Sequence, residues 1–258
     1  MLHRYLRLLL PALPVLLSAC SVYAPMQPAA PLLTDRGQAE VAAHVHLNGQ
    51  VVGSAAYSPV KHVLVLAGGA FKADGRDTTY ARNQQLEGGL GFYLTPTPHL
   101  VLSGLGGYGQ ARSARGFADA PLFGTSELMH YTSRYHKVFG QASAVWEWDY
   151  VALGAVYRLT QARFDELLVN GQPVPLRHLT RHEPTLLMRF GFMPTREQSW
   201  LQFQTAFGAS WGAGYTDEQL LRQPSTVRYV RQSALLATVG VVFYPHRLPK
   251  RAAPTPQP

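Results

Sequence analysis

The side chains able to do chemistry fall into three groups. His44 and His46 stand two apart and share a face with Glu40, a spacing that can hold a metal ion. Two imidazoles and one distant carboxylate make an incomplete ligand set, so no metal is expected. A second group, Glu40, Glu87, Lys137, Glu147, Arg158, Glu183 and Arg189, lies on the small-polar face of the alternating segments. The third is Cys20, the single cysteine of the chain; a lone thiol cannot close an internal disulfide. No Gly-x-Ser-x-Gly elbow and no His-Glu-x-x-His zinc motif is expected. Asp74, Asp77, Asp165 and Glu166 fall in expected loops. No catalytic residue, no cofactor and no enzymatic activity is therefore expected.

Cys20 ends a segment that reads as an export signal. His3, Arg4 and Arg7 form a charged start, and Leu8 to Leu17 form an apolar run broken by Pro11 and Pro14. Ser18 and Ala19 follow, and the run is too short for a stable spanning helix. The stretch Leu17-Ser18-Ala19-Cys20 resembles the lipobox of bacterial lipoproteins. That resemblance implies cleavage before Cys20 and a diacylglycerol on its thiol. Ser21 in the next position implies release to the outer membrane. Residues 20–37, with Pro25, Pro28 and Pro31, are expected to form a flexible tether.

Charged residues are only 15% of the chain, against roughly 25% in soluble domains. There are 23 Gly, 13 Tyr, 11 Phe and 4 Trp. Low charge with abundant glycine and aromatics suits a membrane β-barrel. The net charge of +8 is spread along the chain, with Arg247, Lys250 and Arg251 near the C-terminus. Nucleic acid is not an expected partner of an exported protein. Anionic headgroups or a cell-surface ligand fit the charge better.

The elements that must position the charged group are strands. In residues 200–211 one face reads Leu201, Phe203, Thr205, Phe207, Ala209, Trp211, and the other Trp200, Gln202, Gln204, Ala206, Gly208, Ser210. Residues 185–192 and 151–159 alternate the same way. Ten such segments are expected at about 38–47, 50–57, 62–72, 84–94, 99–111, 134–148, 150–164, 181–193, 199–213 and 232–244. From the second onward their connections alternate short and long, as in barrels that thread a membrane. The Asn48-Gly49 turn is the exception, tight on the long-loop side. An even strand number puts both barrel ends on the short-turn side, which is then periplasmic. A lipid on Cys20 would enter the leaflet facing the periplasm.

The apolar face is expected to meet lipid, with Trp146 and Trp148 at one edge and Tyr108 and Trp211 at the other. The small-polar face is expected to fill a narrow lumen. GQAEVAAHVHLNGQVVGSAAYSPVKHVLVLAGGAF and GGLGFYLTPTPHLVLSGLGGYG (37–71 and 88–109) resemble the hairpins of small outer-membrane β-barrel proteins, in particular uncharacterised lipidated ones. The resemblance implies fold and location and no catalytic residues.

The chain thus reads as all-β, an antiparallel up-and-down transmembrane barrel. It divides into a signal peptide 1–19, a lipidated tether 20–37, the barrel 38–245 and a disordered Pro-rich periplasmic tail 246–258. The expected role is structural or surface-binding, through extracellular loops. The alternatives are a small pore with an arginine-lined lumen and a soluble periplasmic barrel lipoprotein with an apolar ligand. Glu87, Lys137, Glu147, Arg158, Glu183 and Arg189 are expected to form a charged network inside. At least one arginine should lie within reach of a glutamate.

Overall fold

The computed structural model describes residues 22–75, 79–119, 127–193, 195, 198–214 and 223–249. The expected signal segment, Cys20 and the tail from residue 250 lie outside the described residues. Eleven strands form one antiparallel sheet: β1 (Ala39–His46), β2 (Val51–Tyr57), β3 (Val63–Gly75), β4 (Tyr80–Thr97), β5 (Leu100–Asp119), β6 (Glu127–Glu147), β7 (Val151–Val169), β8 (Gln172–Pro173), β9 (His178–Gly191), β10 (Leu201–Gly212) and β11 (Ala234–Phe243). β8 is a two-residue piece paired with the end of β7. The other ten close into a barrel, because β1 pairs with both β2 and β11 and β6 pairs with β7. Each of the ten segments expected from period-two alternation is a strand of this wall.

The long connections differ from expectation. β5 continues to Asp119 and β6 begins at Glu127, so most of the expected loop 112–133 is strand. Residues 73–83 and 165–180 are likewise largely absorbed into β3, β4, β7 and β9. Polar residues outside and apolar residues inside keep the alternation going there, which permits continued pairing. The wall is consequently uneven. β1 and β2 have 8 and 7 residues, whereas β5 and β6 have 20 and 21. The tight turn of the first hairpin, with Gly49 at φ 84°, marks the low side of the rim. The connection from β10 to β11 carries one short helix, α1 (Ser225–Arg231).

Charges are buried inside the barrel among apolar side chains such as Leu64, Leu66, Leu105 and Leu187, and the outward face of the wall is apolar. Lys137, Arg158, Arg181 and Arg189 are each at most 2% exposed, while Leu90, Phe92, Leu186 and Phe207 are at least 58% exposed. On β6 the outward residues from Val138 to Trp146 are Val138, Gly140, Ala142, Ala144 and Trp146, with exposed Trp148 just beyond the strand. At ~3.3 Å per residue and a strand tilt of ~40°, Val138 to Trp148 rises about 25 Å. Beyond Val138 the outward residues turn polar: His136, Arg134 and Thr132 on β6, Gln161, Arg163 and Asp165 on β7. His136 Nδ1 lies 3.2 Å from Asp165 there.

Residues 22–34 overturn the expectation of a free tether. Instead of leading away from the barrel they lie inside it, without strand pairing, and Val22, Tyr23, Met26, Ala30, Leu32 and Leu33 are at most 2% exposed. The chain turns back at Gly37, whose φ is 75° and whose N–H donates to Ser58 O. A ten-stranded barrel is wider than the eight-stranded size that side chains just fill. The threaded segment takes up the remaining space. The C-terminal side also differs: Pro245–Arg247 is a 3-10 turn held at the short-turn mouth, so the expected disordered tail does not begin at 246.

The seam between β1 and β11 depends on close backbone approach. A Cβ at Gly240 would meet Ala43 O at 2.2 Å and the His44 Cα at 2.7 Å. A Cβ at Gly140, on the outward face of β6, meets nothing within 4 Å. Gly240→Val should block closure, seen as loss of the folded band in unheated electrophoresis of refolded protein. Gly140→Val should keep that band.

Candidate functional site

The site with the densest chemistry is the lumen itself. Inward positions on a strand share one parity, so each wall strand projects every second side chain at the threaded segment. That segment has no partner strand. Its backbone polar groups must be met by side chains, since buried unpaired groups cost about 1–3 kcal/mol each. Pro25, Pro28 and Pro31 remove three donors, so carbonyls dominate what remains.

The wall supplies the donors in sequence order. Ser113 Oγ donates to Val22 O at 3.3 Å, Gln85 Nε2 to Ala24 O at 2.6 Å and Gln50 Nε2 to Pro25 O at 3.4 Å. Further along, Gln141 Nε2 donates to Ala29 O at 2.6 Å and Arg189 Nη2 to Ala30 O at 2.9 Å. Leu32 N donates to Glu40 Oε2 at 2.8 Å, and Thr34 N to Gln38 Oε1 at 2.7 Å. Val22 N donates to Tyr229 O in α1 at 3.4 Å. Thr238 Oγ1 donates to the Gln27 side chain at 3.1 Å.

Buried charges stand behind these donors and orient them. Lys137 Nζ donates to Gln85 Oε1 at 3.0 Å, and Arg158 Nε to Gln141 Oε1 at 3.0 Å. Each glutamine thus has its oxygen fixed by a cation, and its NH2 is turned toward the segment. Both cations converge on Glu87, at 3.0 Å from Lys137 and 3.1 Å from Arg158. The Arg158 guanidinium also sits 4.3 Å over the Phe139 ring.

Toward the short-turn mouth, Arg189 pairs with Glu40 at 3.0 Å and donates to Gln204 Oε1 at 2.7 Å and to the Tyr244 hydroxyl. Glu147 binds Arg247 at 3.0 Å. Just outside, His246 Nδ1 donates to Ala39 O, and partial burial lowers its pKa from the usual histidine value. Toward the opposite mouth, Glu183 accepts from Tyr23 OH at 3.1 Å, Thr160 Oγ1 at 2.9 Å and Ser210 Oγ at 3.1 Å.

All six of the expected charged residues are buried inside the barrel, but they form separate clusters. Glu87, Lys137 and Arg158 come together. Arg189 pairs with Glu40 in place of Glu87, Glu147 or Glu183. Glu147 meets Arg247, which sequence reasoning left in a free tail. Glu183 is met by hydroxyls. His44 and His46 do share the inward face with Glu40, but Glu40 is held by Arg189, and His44 Nε2 lies 2.8 Å from the Gln204 amide nitrogen.

Arg181, at the edge of the expected 165–180 loop, is fully buried. It donates to Ser210 Oγ and Ser210 O and to the carbonyls of Arg231 and Gln232 at the end of α1. Its parity with Glu183 and Arg189 was the available signal. Contrary to that expectation, Gly208-Ala209-Ser210-Trp211-Gly212 does have the Gly-x-Ser-x-Gly spacing. Here Ser210 lies within β10, facing inward, between Arg181 and Glu183, and not on a strand-to-helix elbow. No histidine is among its hydrogen-bond partners.

At the long-loop mouth Tyr23 packs against Tyr135, and Phe117 and Tyr131 pack against Tyr229 of α1. The helix lies across this side of the opening. Comparison with protein-family models gives no match for the chain, and no curated protein matches it either.

The glutamine relay generates a sharp expectation. Gln141→Glu keeps an acceptor for Arg158 but turns an oxygen toward Ala29 O, replacing a donor by a repulsive contact. The wall should stay closed while the segment loosens by about 1–3 kcal/mol. Limited proteolysis of the refolded barrel should then cut within 22–34, where the wild-type protein is protected.

Proposed function

We propose that this chain is an outer-membrane β-barrel lipoprotein of a Gram-negative envelope, anchored by a diacylglycerol on Cys20. It is non-catalytic, its lumen is closed by its own N-terminal segment, and it acts through the face that carries the long connections. The role is structural or surface-binding. The observation that carries this reading is the exposed apolar outer face of the wall, set against cations buried inside. A water-soluble barrel would put its cations on the outside. The exposed apolar band of about 25 Å matches the height of the lipid-facing band of membrane barrels. The buried charges and the threaded segment also disfavour a soluble barrel that binds an apolar ligand.

The test is membrane partition of Cys20→Ala. The variant should remain in the outer-membrane pellet after alkaline carbonate extraction. Recovery as a soluble protein would overturn the membrane barrel and restore the soluble reading.

A pore is the second reading, favoured by the lining of Lys137, Arg158, Arg181 and Arg189. The threaded segment occupies that lining, so the intact protein should be silent in planar bilayers. Deleting residues 22–34 should produce steady anion-preferring conductance. Steady conductance of the intact protein would promote the pore reading instead.

A further inference from the structure

We infer that the threaded segment carries the N-terminal end of the protein through the barrel to the long-loop mouth. The acyl anchor then enters the leaflet on the long-loop face. This rests on the reading of the chain as an outer-membrane barrel lipoprotein, and it reverses the side on which sequence reasoning put the lipid.

The direction of threading follows from the contacts. Leu32 and Thr34 are held by Glu40 and Gln38 at the start of β1, at the short-turn mouth. Ala29 and Ala30 are held by Gln141 and Arg189. Ala24 and Val22 are held by Gln85 and Ser113, and Val22 also by Tyr229 of α1, at the opposite mouth. At ~3.1 Å per residue, residues 22–34 reach about 37 Å, enough to cross a band of about 25 Å.

Only Ser21 separates Cys20 from Val22. Two residues of extended chain span at most about 7 Å. From the level of Ser113, beyond the outward Tyr108, that reach cannot return to the short-turn face. The leaflet on the long-loop face is the one within range.

The uneven rim gives the anchor a way down. A cavity of about 280 Å³ opens beside Val22, Ala24 and Pro25, lined by Leu47, Leu235 and Ala237 and also by the cations Lys72, Arg82 and Arg115. Leu47 is 77% exposed at the tip of the first hairpin, where the wall is lowest. The tight Asn48-Gly49 turn keeps this side short, so acyl chains pass over apolar residues into the adjacent leaflet. Elsewhere β5 and β6 rise well above the apolar band and would hold an anchor away from lipid.

The experiment is a sidedness map in the full-length protein. A short epitope is inserted between Ser21 and Val22, between Asp35 and Arg36, or between Ala120 and Pro121, one per variant. Antibody binding is read on intact and permeabilised cells, and the N-terminal peptide is weighed for an acyl group. The first and third epitopes should bind on intact cells and the second only after permeabilisation. Ser21→Cys, labelled with an impermeant maleimide, repeats the first position with a minimal change. An acylated N-terminus whose Ser21 position stays hidden, with the 120–121 epitope exposed, overturns the inference and leaves the lipoprotein reading intact. A hidden 120–121 epitope overturns the barrel orientation, and with it the anchor. An unacylated N-terminal peptide overturns the anchor by removing the lipoprotein reading itself.

Discussion

The structure turns on how a closed β-wall satisfies an unpaired strand of backbone within its own lumen. Residues 22–34 present mostly carbonyls, and the wall answers with Ser113, Gln85, Gln50, Gln141 and Arg189. The glutamines work only because Lys137 and Arg158 hold their oxygens, which forces the NH2 groups inward. Those cations in turn need Glu87 to offset their burial. One chain of dependence runs from a salt-bridged triad through two amides to the threaded segment.

The same logic ties the segment to both mouths. Glu40 accepts from Leu32 N and pairs with Arg189, which also donates to Ala30 O. Glu183 accepts from Tyr23 and from two wall hydroxyls. Withdrawing the segment would therefore leave polar groups of the wall with fewer partners, not simply open a space. The occupant and the wall form one mixed core, its charges set among apolar side chains, inside a β-wall whose outward face is apolar. In water such a molecule would expose its largest apolar surface. In a bilayer that surface is solvated, and the charges are buried with partners.

The rim adds a second asymmetry. Long strands β4 to β7 and the helix Ser225–Arg231 build one high side, closed by aromatic packing among Phe117, Tyr131 and Tyr229. The first hairpin leaves the other side low.

The sequence by itself determined the wall. Strict alternation over ten segments fixes strand identity, and parity fixes which side chains share a face, so Glu87, Arg158 and Arg189 were legible as inward residues. Parity also held the signal for Arg181. What parity does not carry is distance around the barrel: it cannot say that Arg189 meets Glu40, 149 residues away, and not Glu183. Pairing of that kind is set by strand order, shear and the width of the lumen. The threaded segment was hidden for a related reason. Its run of prolines has the local signature of a linker, and its lack of any charge from Cys20 to Thr34 was the one hint that it is not solvated. Only closure of the barrel decided that a cavity of the right length and polarity lay beside it. A segment without periodicity takes its conformation from its surroundings, and those surroundings exist only in the tertiary structure.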